Sequence, residues 1–279
     1  MSLFKKICFF ACFIQFFYCF SQKNEKNHVF FTKNIQNKAF SVGEKVKYRF
    51  SYGKSNKKGV ITAGYGQLEI KNIKELRGTD CFQIKASGSS TRLFSLFYHV
   101  EDVFETYIDT SQLVPLKFIR DIHEHKYKSK QEVSFFRKFN YAKSKNFKSG
   151  LLNKMNISKY TQDILSALFS SRNIPNKNII LNDTVFLEIY NLEKNKIFPT
   201  YFVPIKKEII DTRIGKLKTI KCKIHTEKSR IFSGKNLTYI WVTDDHNHLP
   251  VKLETPIKVG SVYIEILSVE NLYENSHLE

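Results

Sequence analysis

The sequence predicts a mainly β protein: one curved antiparallel sheet, an open or partly closed β-barrel or half-barrel, built from two similar halves with one short central helix. Three observations predict it. Short segments of alternating polarity recur along the chain, a single segment carries helical spacing, and one strand–turn–strand pattern occurs twice. In KLKTIKCKIH, for example, Ile220, Cys222 and Ile224 share one face while Lys221, Lys223 and His225 share the other. That period of two marks a strand with one dry and one wet side, and such strands belong to antiparallel sheets.

In chain order, residues 1–21 read as a secretory signal. Lys5 and Lys6 precede an apolar run, ICFFACFIQFFYCF, and Cys19 and Ser21 form a small-x-small site, so cleavage is expected after Ser21. The run is short for a bilayer span, and lipoprotein cleavage before Cys12 would leave only residues 7–11 as its apolar core. The expected location is periplasmic or secreted. Residues 22–39 read as a flexible polar leader, and a single β-rich domain is expected over 40–275. Its two pseudo-repeats lie at about 40–141 and 182–272, joined by a loop and helix over 142–181.

The first repeat supplies VKYRFSY, GQLEIKNI, CFQIKAS, HVEDVFETYI, VPLKFIRDI and EVSFFRKF as strands. The glycines of GVITAGYG lack the lysine and spacing of a phosphate-binding loop and instead permit a bulge or tight coil within a strand. A polar loop is read over 142–154. YTQDILSALFSSRN then places Ile164, Leu165, Leu168 and Phe169 at helical spacing, with Thr161 or Ser158 as a cap. The second repeat supplies TVFLEIY, TYFVPIKKEII, KLKTIKCKIH, TYIWV, PVKLETPI and SVYIEILSV.

The duplicated pattern is TYIDTSQLVPLKF against WVTDDHNHLPVKLE. Aligning Pro115 with Pro250 sets Asp109 on Asp244, and each copy reads as a strand, an aspartate-initiated turn and a proline-led strand. His246 and His248 fall where the first copy has Ser111 and Leu113. An H-x-H strand with Asp245 nearby has the chemistry of a metal site, but the comparison favours a solvated turn. The same spacing recurs at His123 and His125 between charged residues. No metal or other cofactor is expected. The neighbours Glu101 and Asp102, like Asp244 and Asp245, point to opposite faces of a strand and are not expected to act as a catalytic pair. No G-x-S-x-G elbow is present.

Outside the signal only Cys81 and Cys222 remain, which either form one disulfide or are two small buried residues; there is no C-x-x-C. The formal charge of +19 invites a nucleic-acid partner, but export and the dispersal of the lysines argue against one. Attraction to an anionic envelope surface remains.

FSVGEKVKYRFSYG, LFYHVEDVFETYIDTSQLVPLKF, DILSALFSSR and YIWVTDDHNHLPVKLE, in that order, resemble an exported bacterial family known as domain of unknown function 3108, from about Phe40 to Leu272. The resemblance implies an exported class without an activity, and its motif around the helix falls on Asp163, Ser166 and Arg172. Either these three form a polar cluster facing a ligand, or Asp163 and Arg172 simply complement the two ends of the helix, with Ser166 toward solvent. Trp241 is either a core anchor or a ligand platform. The I-W-x-x-D…P-x-K element is also similar to periplasmic lipoprotein carriers and sensors, whose curved sheet holds acyl chains under helices. The functions that follow are non-catalytic binding of a lipid or lipoprotein acyl chain, a structural or protein-interaction module with a filled core, or third, a metal-dependent enzyme.

Overall fold

The computed structural model describes residues 28–29, 36–53, 60–225, 238–256 and 260–273; the signal read over 1–21 lies outside them. Within the leader, His28–Val29 forms a two-residue strand, β1. The first half is a meander of β2 (Lys45–Gly53), β3 (Ile61–Glu75), β4 (Asp80–Ser90), β5 (Val100–Asp109), β6 (Pro115–Glu124), β7 (Tyr127–Phe136), β8 (Tyr141–Asn146) and β9 (Leu152–Asn156), each antiparallel to the next. A one-turn helix, α1 (Arg92–Ser95), interrupts the β4–β5 connection, and α2 (Ile164–Ser171) separates the halves.

The second meander runs through β10 (Val185–Asn191), β11 (Lys196–Thr212), β12 (Gly215–His225), β13 (Thr238–Thr243), β14 (Pro250–Pro256) and β15 (Ser261–Glu270). β15 then pairs with β2, so fourteen antiparallel strands make one continuous sheet, with β1 lying parallel beside β10. The sheet does not close into a barrel: β9 and β10 do not pair. The approach to α2 lies along the β10 side of this opening, where Gln162 exchanges backbone bonds with Glu188 and Tyr190. Arg137 ties that approach to the first half by donating to the carbonyls of Thr161 at 2.7 Å and Pro115 at 2.8 Å. Burial pulls the Arg137 guanidinium down to about 9, and its five donors suit it to collect such carbonyls.

Both halves fill the interior. Phe104, Phe118 and Phe135 from the first half join Ile220, Val251 and Ile264 from the second in one buried cluster. At the end occupied by α2, a smaller cluster gathers Phe40, Ile84, Ile108 and Phe169, with Phe40 edge-on to Phe82 and Phe169. Burying a phenylalanine of this kind stabilises by about 1.5–3 kcal/mol, which fixes the otherwise polar leader against the sheet from Ala39 onward.

The region read as a polar loop over 142–154 instead contains β8 and β9. Its inward residues are Ala142 and Ser144, so the alternation is one of size and lacks the apolar period that marks a strand. α1 likewise went unread because one turn is too short for periodicity; its sign was Thr91, whose hydroxyl caps Phe94. The glycine reading holds at Gly64, where a Cβ would stand 2.5 Å from the Ser89 carbonyl oxygen, opposite a bulge at Phe50 and Ser51.

Candidate functional site

α2 is held at both ends by buried polar groups. Asp163 is its N-cap, accepting from the amides of Leu165 and Ser166, while the Ser166 hydroxyl accepts from the Asp163 amide. This reciprocal capping box satisfies orphan donors of the first turn. Thr106 on β5 donates to the same carboxylate at 2.7 Å. Burial pushes the Asp163 carboxyl up to about 6 against the pull of these donors. Ser166 is fully buried, which corrects its expected solvent position: its hydroxyl is consumed by the cap.

At the other end, Arg172 is 3% exposed and directs its guanidinium inward. It donates to both carboxylate oxygens of Glu44 at 2.5 and 2.8 Å, to the Ala39 carbonyl at 2.8 Å and to the Asn247 carbonyl at 2.8 Å. Phe40 and Phe169 lie against its face. Its own carbonyl meets Nδ1 of His248 at 2.8 Å, and Nε2 of that ring meets Asn176. His248 is therefore no solvated turn residue; burial holds its imidazole below the usual histidine value. His246 is exposed and His248 buried, so the H-x-H pair does not offer two imidazoles to one ion.

The two copies of the turn share a design but differ by one residue. Asp109 accepts from the amides of Ser111 and Gln112, with Leu113 at positive φ before Val114 and Pro115. In the second copy Asp245, and not the aligned Asp244, accepts from the amides of Asn247 and His248, with His248 at positive φ before Leu249 and Pro250. The ladder closes from the Asp109 amide to Val114 in one copy and from the Thr243 amide to Leu249 in the other. The second turn thus holds one more residue, which frees Asp244 to pair with Lys207 at the surface. Each copy also carries a bulge facing its proline, at Tyr107/Ile108 and at Trp241/Val242.

Trp241 is buried between the ammonium groups of Lys221 and Lys252, at 4.7 and 4.2 Å from its ring, and donates Nε1–H to Glu208. It anchors this part of the sheet beneath charged side chains. Cys81 and Cys222 are both free buried thiols, pushed up by burial to about 11 and about 12. Of the two sequence readings, the disulfide is set aside: Cys222 faces the second half of the interior and Cys81 pairs with Asp109 across β4 and β5.

Between α2 and the second half of the sheet lies an apolar cleft. Leu168 and Ile174 form one wall; Leu187, Phe202, Ile220 and Ile240 form the other; Arg172 and His248 close one end. Its open space, mouth included, is about 600 Å³, of which about 60 Å³ admits a water-sized sphere. A wall of this composition accepts hydrocarbon and offers little to sugars or ions.

The first half encloses a polar group that sequence reading missed. Asp102 and Glu124 face each other inside β5 and β6, with Arg120 beside them donating to Gln131 at 3.0 Å. Glu101 points outward, as expected for its neighbour on a strand. Burial, followed by the adjacent Glu124 carboxylate, raises the Asp102 carboxyl well above its ordinary value. Only the β5–β6 register, set by the turn at Asp109, brings these two acids together.

A family model described as Protein of unknown function (DUF3108) matches residues 47–267. Among curated proteins there is no match. The chain is similar to a β-barrel-like protein of domain of unknown function DUF1849 from Brucella abortus, at 10% identity and a TM-score of 0.55, covering 85% of this chain and 100% of that one. It is also similar to a protein of Parabacteroides distasonis classed provisionally as a lipoprotein, at 14% identity and a TM-score of 0.36, over 84% of this chain and 100% of that one. A third likeness is to a provisionally exported protein with a YmcC-like fold from Bacteroides fragilis, at 9% identity and a TM-score of 0.34, over 84% and 100%. The Brucella likeness supports the barrel-like fold.

Two outcomes follow for this site. Arg172→Met strands the buried Glu44 carboxylate and is expected to cost about 3–5 kcal/mol in urea unfolding, with Glu44→Gln in the same chain restoring much of the loss. For Asp102 the folded-state value is raised, so the folded protein keeps a proton that the unfolded chain releases above about pH 4. The stability from this group is therefore full only below about pH 4 and is lost progressively as pH rises from there to about 8. Asp102→Asn keeps the oxygen that accepts from the His123 amide, so its gain in melting temperature over the wild type should be larger at pH 8 than at pH 5.

Proposed function

Since the chain belongs to the DUF3108 family, whose description assigns no activity, we propose its function from its own geometry: non-catalytic binding of an acyl chain, of a lipid or lipoprotein, in the cleft between α2 and the second half of the sheet. The observation that carries this reading is the cleft's nearly unbroken apolar wall. Apolar surface left open to water costs free energy that a core needs no reason to bear. Ligand pockets commonly measure about 300–1,000 Å³, so the 60 Å³ of free room takes the end of a chain, and deeper seating requires α2 to shift outward. Export to the periplasm or beyond is part of the reading and rests on the charged-then-apolar residues 1–21.

A second reading, docking on an anionic lipid surface, is favoured by the opposite end of the sheet. The β4–β5, β6–β7 and β8–β9 connections fall at one end, because alternate turns of an antiparallel meander do so. There Leu93, Leu96, Phe97 and Leu152 are 73%, 78%, 60% and 70% exposed, and Phe147 44%. Arg92, Lys126, Lys128 and Lys148 stand exposed among them. Apolar side chains interleaved with basic ones suit a headgroup boundary, and the net charge of +19 has the matching sign.

The first reading is tested by purifying the protein without detergent from cells that make it and analysing an organic extract by mass spectrometry. A stoichiometric lipid is expected, and Val242→Trp at the cleft should reduce binding of a fluorescent fatty acid at least about tenfold, as a lost hydrophobic anchor of about 1.4 kcal/mol or more would. A clean extract with no fatty-acid binding removes the reading. For the second, co-sedimentation with phosphatidylglycerol vesicles should fall sharply in Leu96→Asp and Phe97→Asp, while fatty-acid binding persists; unchanged sedimentation removes it.

A further inference from the structure

The β5–β6 hairpin carries a cluster on its outer face that neither reading uses. Among the described residues, His99, Glu101 and His123 are the group whose ligand atoms, two imidazole nitrogens and one carboxylate oxygen, all lie within 4.8 Å of one another. We infer that this cluster is a divalent transition-metal site of the zinc type, with His99, Glu101 and His123 as ligands and a fourth position left to water.

Strand geometry builds it. His99 and Glu101 are two apart and so project to the same side, and Glu101 stands directly opposite His123 in the β5–β6 register. The imidazoles meet edge to face with centroids 5.1 Å apart, and His99 Nε2 lies 4.0 Å from the Glu101 carboxylate. Tetrahedral zinc with bonds of about 2.0–2.1 Å holds its ligand atoms about 3.3 Å apart, so side-chain rotation alone closes the remaining distance. The backbone beneath is held beyond the ordinary ladder. The His125 amide donates to the His99 carbonyl at 2.8 Å, and the His123 amide donates to the buried Asp102 carboxyl at 3.0 Å. His99 and His123 are half-buried and Glu101 is exposed, which leaves the fourth position facing solvent.

Two imidazoles and one carboxylate form a borderline nitrogen and oxygen donor set, which suits zinc over calcium or magnesium. Lys128 stands across the ladder from His123, and its positive charge lowers the affinity of the site without blocking it. The other H-x-H pair provides the internal control, because His246 and His248 are separated by burial.

Zinc alone, titrated calorimetrically into the untagged, chelator-stripped protein, should bind one equivalent and shift the His99 and His123 ring signals in NMR spectra. His123→Gln and Glu101→Gln should each weaken binding by at least about tenfold, while His246→Gln leaves it unchanged. His99→Gln, which precedes the strand, gives the same reading if His123→Gln folds poorly. Absence of saturable binding, or an affinity that survives His99→Gln, overturns the assignment.

Discussion

The guanidinium of Arg172, buried and held by both carboxylate oxygens of Glu44, holds together three stretches that are distant in sequence: the end of α2, the segment from Ala39 to Glu44 that leads into β2, and the turn carrying Asn247. Withdrawing two opposite charges from water costs several kcal/mol per ion, and such a pair adds little net stability over well-packed apolar residues. What it imposes is position. Any other seating of the helix leaves a buried charge uncompensated, so α2 has one place to lie, and one wall of the apolar cleft is fixed with it. The capping box at Asp163 performs the same service at the opposite end of the helix.

Much of this fold was legible because it follows from period. Each of the twelve alternating segments quoted from the sequence coincides with a strand over most of its length, EVSFFRKF running past β7 into a 3-10 turn at Arg137–Phe139, and Ile164, Leu165, Leu168 and Phe169 mark the one described helix long enough to show a repeat. The local signals failed where size replaced polarity, at Ala142 and Ser144, and where a turn gained a residue. Asp245 took the role read for Asp244 because an aligned proline fixes the end of a turn without fixing its length.

The polar groupings were less legible, since each depends on a register that one bulge can slip. Asp102 meets Glu124, and Glu101 meets His123, only after the bulge at Tyr107 and Ile108 is counted. Glu44 carried no sign at all of a partner 128 positions away. Among the described residues, the free buried thiols at Cys81 and Cys222 fit a core that relies on packing and ion pairing.

The pairing of β15 with β2 joins residues such as Glu270 and Lys45 from near the two ends of the described chain. Every other antiparallel pair links neighbours in sequence, so each meander can assemble from local hairpins. The union of the two meanders is different: it must close a loop that spans almost the whole molecule, the kind of contact that slows folding. Until it forms, β2 and β15 each present an unpaired row of amides and carbonyls. The molecule's most vulnerable moment for misassociation is therefore the interval between finishing its halves and zipping them together.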